Sequence, residues 1–272
     1  MKTGVQLYSV RTDLESDFYG TLKAIRDMGY EGVEFAGLYG HTPAEIRKMC
    51  QELGLNPISA HVPFVDMLEH TEQVMADYAE IGCKYIVIPY LMPEHRPGTE
   101  GFDLVLENAG RIGKAAAEKG MTLLYHNHNF EFEKIDGEYA LDVLYRSVPA
   151  EYLQTEIDTC WVRVANVDPA EYVRKYSGRA PIVHLKDYYK KGEAVGKMFK
   201  LIGLDDNEED QASESFGFRP LGMGCQDVPS LLAAAADAGA DWVIVEQDEP
   251  AKNMSRMESV KTSIDYLKTL SY

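Results

Sequence analysis

The sequence is poor in cysteine, with four in 272 residues, at positions 50, 83, 160 and 225. None forms a CxxC pair, so neither a zinc knuckle nor a disulfide framework is indicated. Most of them are expected in the core, as small apolar side chains. Positive charge is scarce too. Lys and Arg number 27 against 44 Asp and Glu, a formal net charge of −17. A surface of that sign repels phosphate backbones and argues against nucleic acid as the main partner. No apolar run approaches the roughly 20 residues that cross a bilayer. The opening "MKTGVQLYSV" is too short and too polar for a signal peptide. The expectation is a soluble, cytoplasmic protein without a membrane partner. A nucleotide loop is also missing. The segment after the first predicted strand reads "YSVRTDLESD", with no GxGxxG, which disfavours an open dinucleotide-binding sheet.

What the chain does contain is a regular alternation. Short Val/Ile/Leu/Tyr runs are predicted as strands at 4–10, 32–37, 57–64, 85–90, 122–128, 153–159, 181–189 and 241–249. Such runs suit strands buried on both faces. Helical patterns follow each, at 18–29, 42–54, 71–82, 103–120, 140–149, 168–178, 227–239 and about 253–271. Thr42-Pro43 and Asp168-Pro169 read as an N-cap followed by proline at the first helical position. Gly29, Gly54, Gly82, Gly120, Gly178 and Gly239 stand where C-cap glycines belong. Eight such units predict a single-domain (β/α)8 TIM barrel over residues 1–272. One long insertion, at about 190–219, separates the seventh strand from its helix. Its acidic piece "DDNEEDQASE" is expected in solvent, and "KMFKLIG" over the barrel mouth. Whether the barrel is a homodimer or a tetramer is left open.

Barrel enzymes work at the C-terminal ends of their strands. Those ends carry Tyr8 with Arg11 beyond it, Glu34, His61, His126, His128 with Glu131 beyond, Glu156, Asp158, His184, Lys186, Asp187, Glu246 and Asp248. One histidine at a strand end is ordinarily structural. Four of the seven histidines at one end, with several carboxylates, are poorly explained that way, because buried charges pair or coordinate. Imidazole and carboxylate together suit a divalent metal such as Mn, Co or Zn. Without thiolates a structural zinc site is disfavoured.

The segments "GVQLYSVR", "GYEGVEFAG", "ISAHVPF", "YHNHNFEF", "EIDTCW", "VHLKDYY", "PLGMGCQD" and "VIVEQDEP" together resemble the xylose isomerase-like barrel superfamily of sugar isomerases and epimerases. The run "YHNH" also resembles inosose dehydratases and hydro-lyases acting on 3-keto-glycosides. The resemblance spans essentially the whole chain. It implies one divalent metal ion (Mn, Co, Zn or Mg) held by a Glu, an Asp, a His and a second Glu. Asp158, His184 and Glu246 match three of these positions. The fourth departs: the resemblance to the epimerases implies a Glu at the end of the fifth strand, where this chain reads Tyr125-His126. His126 is the expected replacement, with Glu131 the alternative ligand. A second departure is Met223, where relatives often carry an acid.

The implied chemistry is proton abstraction beside the carbonyl of a ketose or keto-sugar, through an enediolate. Returning the proton isomerises or epimerises, and losing a β-hydroxyl dehydrates. Glu246 and Glu131 are the expected acid–base pair, with His128 third. Lys186 is placed to stabilise the anion, or else pairs with Asp187 or Glu156. Tyr8, His61, Asn127 and Trp161 are the candidate sugar contacts, although core packing competes for Trp161. A phosphate on the sugar is disfavoured, because Gly222 and Gly224 lack a basic cluster. Two rivals stand beside this reading. A metal-dependent endonuclease would want a basic groove, and a sugar-binding barrel would keep the pocket without chemistry.

Overall fold

In the computed structural model, which describes residues 1–191 and 216–270, eight parallel strands close into a barrel. They are β1 (Lys2–Gln6), β2 (Gly32–Phe35), β3 (Asn56–His61), β4 (Tyr85–Ile88), β5 (Thr122–His126), β6 (Gln154–Asp158), β7 (Ile182–Leu185) and β8 (Trp242–Val245). Each pairs with its neighbours in chain order, and β8 closes on β1 with Lys2 opposite Trp242. A helix follows every strand, so both faces of the sheet are covered.

The helices form where their apolar stripes demand. Helix Glu100–Glu118 buries Phe102, Val105, Ala109, Ile112 and Ala116, a three-and-four spacing that keeps one face on the barrel. Its Gly113 is required by contact: a Cβ there would lie 1.9 Å from the Tyr152 carbonyl. Thr42 and Glu45 make a full capping box at the start of helix Pro43–Leu53. Asp168 caps helix Pro169–Lys175. Gly29, Gly54, Gly82 and Gly239 are left-handed C-caps, as predicted. Gly120 and Gly178 also have positive φ but lie past their caps, Lys119 and Tyr176.

The barrel interior is stratified. Ile58, Tyr85, Val87, Leu124, Ile182, Trp242 and Ile244 form an apolar plug of their own. Strand alternation puts the next inward residue two positions on. That step runs from Leu124 to His126, from Ile182 to His184 and from Ile244 to Glu246. A buried polar layer therefore rests on an apolar one.

The predicted strands run two to four residues too far at most of their C-terminal ends. "YSVRTDLESD" is no plain loop: Leu7–Val10 is a 3-10 turn and Arg11–Ser16 a short helix. The insertion also begins and ends in structure. Asp187–Lys190 pairs antiparallel with Phe216–Arg219, Lys190 facing Phe216. The segments "KMFKLIG" and "DDNEEDQASE" lie outside the described residues. Among the described residues no helix is long and apolar enough to cross a membrane.

Candidate metal and catalytic site

The polar layer is built from its base upward. Glu34 on β2 is fully buried and receives Gln6 Nε2 at 2.8 Å and Ser59 Oγ at 2.6 Å. Its Oε1 also lies 3.0 Å from His61 Nε2 and 2.8 Å from His184 Nε2. Glu156 on β6 faces the same imidazoles. Its Oε1 is 2.6 Å from His61 Nε2, 3.2 Å from His126 Nδ1 and 3.0 Å from His184 Nε2. Three imidazoles thus converge on one carboxylate oxygen. Sheet register explains part of this, since His126 is paired with Glu156 and Asp158 with His184.

Above this base the other imidazole edges meet a second pair of carboxylates. His184 Nδ1 is 3.1 Å from Glu246 Oε2. His126 Nε2 is 3.7 Å from Asp158 Oδ2 and 3.9 Å from Glu246 Oε2. Asp158 is aimed by its own backbone. It caps helix Thr159–Val164, its Oδ1 accepting from Cys160 N and Trp161 N, while Oδ2 faces Lys186 Nζ at 3.2 Å. His126, Asp158, His184 and Glu246 bring one donor atom each within 4.8 Å of one another. Metal–ligand bonds of about 2.1 Å put tetrahedral donors about 3.4 Å apart. Two imidazole nitrogens and two carboxylate oxygens, all from buried side chains, fit a divalent cation. The nitrogens turned away from it face Glu34 and Glu156, the arrangement that orients metal-binding histidines.

Charge supports the same reading. Glu34, Glu156, Asp158, Glu246 and Asp248 are all buried, and Lys186 is the buried lysine among them. Its ammonium lies 2.8 Å from Glu246, 3.1 Å from Asp248 and 3.2 Å from Asp158. Burial alone would lower the Lys186 pKa, but these carboxylates raise it well above the usual lysine range. Burial would likewise lower His61, yet Glu34 and Glu156 hold it at about 10. His184 is raised for the same reason. His126 and His128 are lowered, by burial first and then by the neighbouring cations. Burial raises Asp248 to about 7 against the pull of Lys186.

Several predicted residues fall elsewhere. Glu131 does not reach the cluster. Tyr125, one residue from His126 and so on the opposite face of β5, donates its hydroxyl to Glu131 Oε1 at 2.6 Å. The backbone N–H of His128 donates to Oε2 at 2.9 Å. Both carboxylate oxygens are thereby used in bracing the loop. Asn127 is a strut between strands, accepting from Asp158 N at 3.1 Å and offering its amide to Asp158 O at 3.3 Å. Trp161 is buried, with Lys186 5.5 Å from its ring centre and His128 5.2 Å away, so it backs the site rather than lining the cavity. His61, Tyr8 and His128 do line it. Lys186 pairs with neither Asp187 nor Glu156. Arg11 is tied to Glu249 and to the Asp248 carbonyl, its guanidinium 4.0 Å over the Tyr8 ring.

Asp187 has its own task. Its carboxylate accepts from the backbone N–H groups of Tyr188, Gly222, Gly224 and Gln226, at 2.9–3.1 Å. The loop "PLGMGCQD" is folded around it. A period-two pattern cannot show that Glu34 and Glu156, on different strands, meet the same imidazoles.

The site opens into a cavity of about 550 Å³. Its floor holds His61, His126, His128, Lys186, Glu246 and Asp248, and the turns after β3 and β4 raise an apolar wall. That wall had no signal in the sequence reading.

A closed parallel barrel carries at the C-terminal ends of its strands a buried His/Glu/Asp cluster that could hold a metal. Residues 22–270 match the xylose isomerase-like TIM barrel family, and the chain belongs to it. A relative is the inosose dehydratase of Clostridium botulinum (strain Alaska E43 / Type E3), 22% identical over 277 residues, 93% of this chain and 90% of that protein. A sugar phosphate isomerase/epimerase from Parabacteroides distasonis ATCC 8503 superposes with a TM-score of 0.77 at 22% identity, covering 98% of this chain and 93% of the other. The IOLI protein, solved with a bound zinc atom, superposes with a TM-score of 0.74 at 16% identity, covering 99% and 97%. At these identities the two structures establish the fold. The named relatives belong to enzyme families of isomerase, epimerase and dehydratase type.

Proposed function

We propose that this protein is a divalent-metal-dependent enzyme that moves a proton beside the carbonyl of a ketose or keto-sugar, an isomerase or epimerase. The carrying observation is the convergence of His126, Asp158, His184 and Glu246, with Lys186 against two of them, beside a sugar-sized cavity into which His126, Glu246 and Lys186 face. Those four side chains would hold the metal, which supplies Lewis-acid polarisation of the substrate's oxygens. Glu34 and Glu156 keep the imidazoles in place. Lys186, buried and charged, stabilises the negative charge that develops when the proton leaves. Glu246 and His128 are the candidates to take and return that proton. Glu246 is held low by Lys186 and His184 despite burial, whereas His128 is neutral and its Nδ1 has no hydrogen bond. Tyr8 and His61, which line the cavity, would touch the sugar.

A second reading, dehydration of a keto-inositol or 3-keto-glycoside, is favoured by one feature. The fifth strand ends in His126 where the resemblance to sugar epimerases implies a proton-moving Glu. The test is incubation of the metal-analysed protein in deuterated water with ketoses, inososes and 3-keto-glycosides. Deuterium gained without loss of mass supports isomerase or epimerase chemistry. Loss of water supports the dehydratase. No exchange and no loss anywhere in the panel would sink both.

A further inference from the structure

The cavity is asymmetric in a way the reaction does not need. His61, His126, His128, Lys186, Glu246 and Asp248 gather beside the metal-binding cluster, whereas the turns after β3 and β4 contribute Val62, Phe64, Val65, Leu91 and Met92, with Asp66 and His95 beside them. Phe64 and Leu91 are buried, but Val65 and Met92 remain 37% and 44% exposed. They extend an apolar surface from the reaction centre to the mouth. A lone sugar, hydroxylated all round, would leave that wall wet and its own hydroxyls facing carbon. At about 550 Å³ the cavity is in the range that encloses drug-sized ligands.

The charges argue in the same direction. Asp66, Glu246 and Asp248 line the cavity, and its lysine, Lys186, is already in contact with three carboxylates. In barrels of this kind phosphate is commonly held by backbone N–H groups after the seventh and eighth strands. Here Asp187 occupies that nest, taking the N–H groups of Gly222, Gly224 and Gln226. A phosphate would have to displace a carboxylate that folds the loop.

We infer that the substrate is an unphosphorylated sugar bearing an apolar appendage, as in an aryl glycoside, with the sugar on the polar floor and the appendage against Phe64, Leu91 and Met92. This rests on the keto-sugar reading above and adds the substrate's other half. Phenyl glucoside, glucose and glucose 6-phosphate serve as binding probes for the metal-loaded protein by calorimetry. The 3-keto forms of glucose and phenyl glucoside are then followed for deuterium exchange. Phenyl glucoside is expected to bind at least tenfold tighter than glucose, and glucose 6-phosphate no tighter than glucose. Met92→Glu, at a half-exposed position, should cut the phenyl preference at least fivefold, with its thermal midpoint reporting folding separately. A preference that survives both Met92→Glu and Phe64→Ala overturns the assignment of this wall. Equal binding of glucose and phenyl glucoside, or tighter binding of the phosphate, overturns the inference even if keto-sugars exchange. A phenyl preference without any exchange supports it and counts against the reaction instead.

Discussion

The Lys186 ammonium lies 2.8 Å from Oε2 of Glu246, the same oxygen that His184 Nδ1 approaches at 3.1 Å. One carboxylate oxygen thus serves an ammonium and an imidazole at once, at the point where a metal would bind. Lys186→Met should leave Asp158, Glu246 and Asp248 buried without their common partner. Stripping one member from a buried ion cluster costs about 3–5 kcal/mol. Denaturant melts in chelator should show that loss. Added divalent metal should stabilise the variant more than it stabilises the native protein, since it restores the missing positive charge.

His126 and Glu131 are separable by metal binding. His126→Ala removes a donor of the cluster and should weaken metal affinity by more than the roughly 10–100-fold typical of supporting residues. Glu131→Ala should leave affinity within a fewfold while lowering stability, because it frees the Tyr125 hydroxyl and the His128 N–H. A competitive chelator titration decides. The opposite ranking would make Glu131 the ligand.

Glu156 touches three imidazoles through one oxygen. Glu156→Gln keeps the shape and removes the charge. Metal affinity should fall roughly 10–100-fold, with far-UV circular dichroism unchanged.

Glu131 also sets a pH dependence of stability. Burial raises its pKa from 4.5 to about 7, in spite of the Tyr125 hydroxyl. Between those values the native state holds a proton that the unfolded chain has released. Stability therefore falls as pH rises from about 4.5 through 7, and the full cost, on the order of 3 kcal/mol, is present above pH 7. Glu131→Gln stays neutral and can still accept from the His128 N–H. Its urea midpoint should decline less than the native protein's between pH 5 and 8. Parallel declines would show that Glu131 is not the group responsible.

Gly224 has no room for a side chain. A Cβ there would meet Asp187 Oδ1 at 2.1 Å and the Tyr188 carbonyl at 2.5 Å. Gly224→Ala should cost about 1–3 kcal/mol in thermal or urea unfolding.

Much of the architecture is local in origin and was therefore legible in the chain. Thr42-Pro43 with Glu45 can only begin a helix, and Gly54 ends it wherever it sits in the fold. The spacing of Phe102, Val105, Ala109 and Ile112 states its own buried face. The clustering of His61, His126, His128 and His184 also followed, because a barrel gathers every strand end at one rim. The position of Glu131 was not legible, because alternation along β5 does not show which side chain the loop beyond it meets. Five residues from His126, it is within reach of the site in sequence, but the Tyr125 hydroxyl on the other face of β5 takes it.

The sequence by itself determined the barrel, the rim that carries the chemistry, and the types of donor collected there. These depend on periodicity, capping and strand alternation, which act over a few residues. Tertiary structure alone decided which donors meet. That Glu156 serves three histidines, that Lys186 turns to Glu246 and Asp248, and that Asp187 fills the glycine loop are all consequences of packing between segments distant in the chain. Buried charges have few partners within reach, and barrel closure fixes which ones those are.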